Sequence, residues 1–190
     1  MTVGVLLLAA GSSRRFGSDK RLAALASGHT VLNTTIDQIL AAQLPLLVCL
    51  GADDMAIAKT LLARNVPSLL CQHSHLGMGA TLSAGAARLK DWGGVLIALA
   101  DMPFICPDTY GQVASALQSN NIAIPTRNGL RGHPVGFGQQ WFENLRALQG
   151  DKGGLSIVQQ NESAVIEVPC SDVNLQRDID VPENIPGLSQ

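Results

Sequence analysis

The sequence predicts an α/β fold, a single-domain doubly wound structure with a mostly parallel sheet. The apolar runs at 3–8, 45–51 and 94–100 are continuous rather than alternating, as in strands buried on both faces. Segments with helical spacing of apolar residues separate these runs, which is typical of strand–helix alternation. The 190 residues, 46% hydrophobic and 15% charged, suit one domain with a substantial core, spanning residues 1–190.

The elements are justified in chain order by apolar runs for strands, helical periodicity for helices and Gly or Pro at boundaries. Strands are predicted at 3–8, 45–51, 68–71, 94–100, 122–125 and 165–168. Helices are predicted at 30–42, from Asp53 or Asp54 to about 65, and at 81–89, 107–117, 141–148 and 150–160. Residues 127–138 are glycine-rich and less regular, and 178–184 form a turn into a short helix. Such a sheet places a ligand crevice at the carboxyl ends of its strands.

Composition excludes several classes of protein. A net charge of −2 argues against nucleic-acid binding, which needs a broad basic face. No apolar run reaches the roughly 18 residues of a membrane span, and the first run lacks the basic start of a signal peptide. We therefore expect a cytoplasmic protein without a membrane partner. The four scattered cysteines suit buried thiols, and Cys71, His73 and His75 lack a visible fourth ligand for a metal.

The loop after the first strand has the character of a phosphate-binding loop. Small residues at 9–13 allow a ligand to approach the backbone N–H groups, and Arg14, Arg15 and Lys20 supply positive charge. The spacing of Gly11 and Gly17 fits neither a Walker A loop nor the G-x-G-x-x-G dinucleotide fingerprint. The loop therefore predicts a site for a strongly negative ligand that is neither a Walker A loop nor a dinucleotide fingerprint.

Carboxylates follow in two further places. Asp101 comes directly after a buried strand, where open α/β sheets bind ligands, and its oxygens suit Mg²⁺. Asp178 and Asp180 stand two residues apart and would face the same side of an extended segment. We favour Asp101 and Asp180 as metal ligands, with Asp178 as the further candidate. The alternative for each is a turn or helix-capping residue.

Six segments in order resemble the nucleotidyltransferases of molybdenum cofactor biosynthesis, in particular the cytidylyltransferases of that group. They are A-A-G-x-S-x-R-F-G-x-x-K at 9–20, G-M-G-A-T-L at 77–82, L-A-D-M-P at 99–103, G-L-R-G-H-P at 129–134, G-D-K-G at 150–153 and D-I-D-V-P-E at 178–183. Thr81 stands where the family usually has serine, which keeps the hydroxyl. The resemblance implies a Rossmann-like nucleotidyltransferase fold.

The resemblance also implies site residues. Nucleotide-binding positions would be Leu8, Ala9, Ala10, Gly11, Gly77, Gly79 and Thr81. Catalytic positions would be Arg15, Lys20 and Asp101, with the two cations holding the β- and γ-phosphates. Acceptor-binding positions would be Arg131, His133, Asp151 and Lys152, although His133 also suits a structural role.

The expected reaction transfers a nucleoside monophosphate to a phosphate-bearing acceptor and releases pyrophosphate, with Mg²⁺ as cofactor. In the family, L-A-A-G marks cytidylyltransferases and L-A-G-G marks guanylyltransferases, so Leu8-Ala9-Ala10-Gly11 favours CTP. A molybdopterin-type acceptor is implied, with a molybdoenzyme as a further partner. The alternatives are a guanylyltransferase of the same pathway, a cytidylyltransferase for a sugar or isoprenoid phosphate, and a nucleotide-binding regulatory or scaffold protein without turnover.

Overall fold

The computed structural model describes residues 1–11, 16, 19–181 and 184, and this part of the chain forms eight strands and six α-helices. The strands are β1 (Val3–Ala9), β2 (Leu46–Gly51), β3 (Ser68–Cys71), β4 (Gly94–Leu99), β5 (Ile122–Arg127), β6 (Leu130–Arg131), β7 (Val135–Gly138) and β8 (Val165–Pro169). The helices are α1 (Val31–Ala41), α2 (Met55–Ala63), α3 (Met78–Ala86), α4 (Pro107–Ala116), α5 (Phe142–Arg146) and α6 (Leu155–Gln160). No helix among these is long and apolar enough to cross a bilayer.

All eight strands join one mostly parallel sheet, which confirms the predicted α/β class. Strands β3, β2, β1 and β4 are neighbours in that order and run parallel. Strand β7 then pairs antiparallel with both β4 and β5, whereas β8 runs parallel to β5. The carboxyl ends of β2, β1 and β4 therefore lie side by side at one edge.

Both faces of the central strands are covered, as their continuous apolar sequences predicted. Along β1, Val5 and Leu7 point into a cluster formed with α1, α2 and α4. Leu6 and Leu8 point to the opposite face, into a cluster formed with α3, α5 and α6. Because every second residue changes face, one strand supplies both cores.

The region at 127–138, predicted as irregular, folds back as an antiparallel arm of the sheet. Its turn residues Asn128 and Gly129 have φ values of 52° and 76°. Two positive φ values in succession suit a tight hairpin turn, for which Asn-Gly is a favoured pair. This hairpin inserts β7 between β4 and β5 and so sends the chain antiparallel in an otherwise parallel sheet.

Two helices begin at residues other than those predicted from the sequence. Helix α3 begins at Met78, three residues before the predicted start, because Gly77 adopts φ 120° and ends the preceding turn. Helix α6 begins at Leu155 rather than at 150, since Gly150 has φ 59° and belongs to a loop. The predicted turn and helix at 178–184 lie partly outside the described residues.

Candidate active site

A cavity of about 810 Å³ opens at the carboxyl ends of the central parallel strands. Leu8, Ala9, Ala10 and Gly11 line it at the end of β1. The segment 51–54 after β2 and the segment 99–101 after β4 line it on either side of β1. This is the crevice position that a doubly wound sheet predicts.

Three carboxylates converge at the β4 side of this cavity. One oxygen each from Asp101, Asp178 and Asp180 lies within 4.8 Å of the others. Between the two tail aspartates, Ile179 is fully buried in a small cluster with Leu25 and Val31. Its N–H donates to the Asp101 carbonyl at 2.9 Å. The buried isoleucine therefore fixes residues 178–180, and the structure brings Asp178 and Asp180 to Asp101, which is distant from them in sequence.

The chemistry of this acidic cluster fits a divalent cation. Oδ1 of Asp101 is buried and has no hydrogen-bond partner among the described residues. A buried oxygen without a donor is unfavourable unless another group satisfies it. Carboxylate oxygens are the ligands that Mg²⁺ and Mn²⁺ prefer. Asp101, Asp178 and Asp180 would hold such an ion.

Lys20 lies in direct contact with the acidic cluster. Its Nζ is 2.6 Å from Asp101 Oδ2 and 3.3 Å from Asp180 Oδ1. Burial opposes the charged form, but the contacts with both carboxylates outweigh it and raise the pKa of Lys20. The preceding Asp19 begins the 3₁₀ turn Lys20–Leu22 and accepts a hydrogen bond from the Arg21 N–H. A fixed ammonium group therefore stands at the end of β4 at neutral pH.

The positions predicted to bind the nucleotide and its phosphates divide into three groups. Residues 8–11, Gly77 and Thr81 line the cavity, and the Thr81 hydroxyl is 3.5 Å from the Gly77 carbonyl oxygen. Arg15, the second predicted phosphate-binding cation, lies outside the described residues, as does Arg14. Gly79 is buried away from the cavity lining.

Gly79 lies beneath the loop 149–152 instead. Its N–H donates to the Gly150 carbonyl at 2.8 Å. A Cβ at position 79 would lie 2.5 Å from the Lys152 carbonyl oxygen and 2.9 Å from the carbonyls of Gln149 and Gly150. The absence of a side chain at Gly79 thus allows two backbone segments to pack together. Gly79 of the G-M-G-A-T-L segment at 77–82 therefore packs α3 against the G-D-K-G loop at 150–153.

The four predicted acceptor-binding residues are not all brought together. Asp151 lines the cavity, but Lys152 does not, and its carbonyl faces Gly79. Arg131 is exposed outside the cavity, where its guanidinium donates to Glu162 and Glu167 at 3.0 Å. These two glutamates on a neighbouring segment neutralise the arginine.

His133 is half-buried close to the site. Burial lowers the pKa of its imidazole, outweighing the opposing effects of the Ile97 backbone and the Asp101 charge. Its Nδ1 is buried without a hydrogen-bond partner in the described part of the chain. The ring is therefore neutral at neutral pH.

Two functional candidates lie outside the motifs. Arg21 and Asp54 both line the cavity and contact each other, with Arg21 Nη2 2.8 Å from Asp54 Oδ1. Asp54 is one of the two aspartates predicted to begin helix α2, yet its side chain makes no capping bond and accepts from Arg21 and from the Gly51 N–H. The signal in the sequence is an arginine directly after Lys20, at a position that the resemblance does not use.

The described cavity lining is acidic. It contains five aspartates against one lysine and one arginine, and both cations contact aspartates. A triphosphate carries several negative charges, so such a lining repels it unless further cations enter. A divalent cation at the acidic cluster would supply such charge.

The chain matches one protein family over most of its length and is similar to a curated bacterial protein. Residues 5–165 match the family described as the MobA-like NTP transferase domain. Among curated proteins, nicotine blue oxidoreductase of Paenarthrobacter nicotinovorans is 23% identical over 192 residues, covering 96% of this chain and 94% of that protein.

Solved structures share the fold over nearly the whole chain. Rv0371c from Mycobacterium tuberculosis H37Rv superposes with a TM-score of 0.84 and 26% identity, covering 97% of this chain and 95% of that one. A structure of Rv0371c from Mycobacterium tuberculosis H37Rv in complex with manganese superposes with a TM-score of 0.80 and 24% identity, covering 97% of this chain and 96% of that one. Molybdopterin-guanine dinucleotide biosynthesis protein A from Archaeoglobus fulgidus superposes with a TM-score of 0.66 and 19% identity, covering 96% of this chain and 94% of that one. With its carboxylates and Lys20 at the strand ends and its sequence matched over most of its length, the chain belongs to the MobA-like NTP transferase domain family of nucleotidyltransferases.

Proposed function

We propose that the protein transfers CMP from CTP to a phosphate-bearing acceptor of the molybdopterin type, with Mg²⁺, and releases pyrophosphate. The observation that carries the proposal is the convergence of Asp101, Asp178, Asp180 and Lys20 at the end of β4. Nucleotidyl transfer needs positioning and charge neutralisation rather than a covalent nucleophile. Acidic ligands for a cation beside a fixed ammonium group are the equipment for that task.

The proposed reaction is an in-line displacement. An oxygen of the acceptor phosphate bonds to the α-phosphorus of CTP, and the bond from that phosphorus to the bridging oxygen of the β-phosphate breaks. The leaving group is pyrophosphate. A bound Mg²⁺ supplies charge neutralisation at the phosphates. Lys20 donates hydrogen bonds to phosphate oxygens, and the three aspartates hold the cation. Small residues at 9–11 allow the ligand to approach the backbone.

The choice of ion is supported by the donor set. All three candidate ligands are carboxylates, which suit both Mg²⁺ and Mn²⁺. The manganese complex of the mycobacterial protein, which has the same fold, supports a divalent cation. Mg²⁺ is the ion we propose for this chain.

The central experiment measures pyrophosphate release from CTP with molybdopterin as acceptor. Asp101→Asn keeps the shape of the side chain and removes its charge, so we expect loss of Mg²⁺-dependent release without unfolding. Asp91→Asn, an exposed aspartate outside the cavity, is the matched control. Wild-type activity of Asp101→Asn at limiting Mg²⁺ would contradict the metal assignment.

The same assay separates the alternative functions. Release only with a sugar or isoprenoid phosphate would assign a different acceptor. Nucleotide binding without release with any acceptor would favour a regulatory or scaffold protein.

Base preference is tested at Ala10, which lines the cavity. Its methyl group narrows the space that glycine would leave to a purine. We expect CTP to be preferred over GTP by about 10- to 200-fold in kcat/KM, the range of one methyl-sized contact. Ala10→Gly should reduce that preference while turnover persists. A wild-type preference for GTP would indicate the guanylyltransferase alternative.

A further inference from the structure

All N–H groups of the Arg21 guanidinium donate hydrogen bonds within the protein. Its Nε and Nη2 donate to the two oxygens of Asp19 at 2.8 and 2.7 Å. Its Nη1 and Nη2 donate to the two oxygens of Asp54 at 2.5 and 2.8 Å, and Nη1 also donates to the Ala9 carbonyl at 2.5 Å. A guanidinium has five N–H donors, so these five bonds account for all of them.

These bonds join three segments that line the same cavity. Ala9 is the last residue of β1 and precedes Ala10. Asp54 closes the loop after β2, where its Oδ2 also accepts from the Gly51 N–H at 2.8 Å. Asp19 belongs to the segment that leads into Lys20. Arg21 therefore fixes these three walls relative to one another.

Arg21 is thereby distinguished from a phosphate-binding cation. Its side chain is only 11% exposed, and its charge is opposed by two carboxylates. Every donor is already engaged, so a phosphate could be bound only if existing bonds broke. Its position on the cavity lining consequently serves geometry rather than charge.

The strand order indicates which end of the nucleotide these walls meet. Strand β1 lies between β2 and β4. Lys20 reaches Asp101 beyond β4, whereas the adjacent Arg21 reaches Asp54 beyond β2. If the phosphates lie at the acidic cluster on the β4 side, the nucleoside extends over β1 toward the β2 side. Residues 51–54 line that side, and Ala10 lines the cavity directly after β1.

We propose that Arg21 is a positioning residue that shapes the nucleoside end of the cavity through Ala9 and Asp54 and thereby sets base discrimination. This inference rests on the proposed function. A displacement of about 1 Å at a binding wall can change rates by roughly 10²-fold. The planar fork of arginine cannot be replaced by lysine, which has three donors on a single nitrogen.

The test is Arg21→Lys, which keeps the charge and loses the fork. We expect KM for CTP to rise roughly 10- to 100-fold, with a much smaller fall in kcat at saturating CTP. The CTP-to-GTP ratio of kcat/KM should fall as well. Asp54→Asn keeps the shape of the side chain but removes its charge and one of the two oxygens that accept from Arg21. It should therefore also lower the CTP-to-GTP ratio of kcat/KM.

Arg64→Lys is the matched control. Arg64 donates to Asn33 at 2.7 Å and to Asp37 at 2.5 Å, outside the cavity, so its replacement should leave the base ratio unchanged. An unchanged ratio in folded Arg21→Lys would overturn the inference. If Arg21→Lys does not fold, an unchanged ratio in Asp54→Asn would overturn it.

Equilibrium binding of CTP and GTP with Mg²⁺, measured by calorimetry, separates this inference from the proposed function. If the wild-type protein binds both nucleotides but releases no pyrophosphate, the proposed nucleotidyl transfer is refuted and the positioning role of Arg21 is not. The binding ratio in Arg21→Lys would then still support or overturn the positioning role. A wild type that binds neither nucleotide would overturn both proposals.

Discussion

Lys20 occupies a position where it can serve two kinds of anion in turn. It contacts Asp101 and Asp180 in the structure, and it stands at the end of the loop in which a triphosphate is expected. A divalent cation at the same carboxylates would share them with the ammonium group. The charge of Lys20 would then be more available to phosphate oxygens.

The corresponding prediction is that Lys20→Ala lowers kcat by about 10²- to 10³-fold, the effect of losing one electrostatic contact at a reacting group. Mn²⁺ affinity without nucleotide should rise, because a competing positive charge has gone. Steady-state kinetics and metal titration measure the two effects, with the exposed Lys59→Ala as control. Unaltered turnover in a folded variant would contradict a role for Lys20 in binding the phosphates.

At the scale of elements, the junction between α3 and the loop 149–152 shows how packing limits the sequence. Helix α3 covers one face of the sheet, and its Gly79 meets backbone carbonyls of this loop. Asp151 of the same loop lines the cavity. The junction therefore connects the core beneath α3 with the wall of the site.

Gly79→Ala should destabilise the protein by about 1–3 kcal/mol, because the added methyl would meet backbone atoms rather than a flexible side chain. Gly111→Ala provides the matched control. Gly111 lies within α4, and a Cβ there meets nothing within 4 Å. This control should be stabilising by about 0.5–1 kcal/mol. Urea unfolding gives both values, and equal stabilities for the two variants would contradict the packing argument.

For the whole molecule, Asp172 ties the last part of the chain to the start of α4. Its carboxylate accepts from the Cys106 N–H at 2.7 Å and from the Thr109 hydroxyl at 2.9 Å. It also accepts from the Asn174 N–H at 2.9 Å. Burial opposes ionisation, but these hydrogen bonds outweigh it and lower the pKa of Asp172 below its ordinary value of 3.8.

This shift predicts a loss of stability in acid. Since the folded-state pKa is the lower one, the unfolded chain binds the proton first as pH falls. The stabilisation is therefore complete above pH 3.8 and is lost as pH falls through the folded-state pKa. Asp172→Asn should be less stable at pH 7 by roughly 1–3 kcal/mol and show a weaker loss in acid. Urea unfolding at several pH values checks this, and parallel pH profiles for the two proteins would refute it.

The sequence by itself determined the α/β class, the central buried strands and the position of the crevice. Continuous apolar runs such as those of β1 and β4 are sufficient for this, because they require cover on both faces. It also singled out Asp101, Asp178 and Asp180, since acidic residues after a buried strand and at a period of two are local patterns.

Only the tertiary structure decided how those residues meet. Burial of Ile179 brings the tail aspartates to Asp101, and the Asn128–Gly129 turn reverses one arm of the sheet. The pairing of Arg131 with two glutamates and of Arg21 with Asp54 joins residues distant in sequence. Such contacts depend on side-chain direction and on which strand ends are neighbours, and no local pattern carries that information.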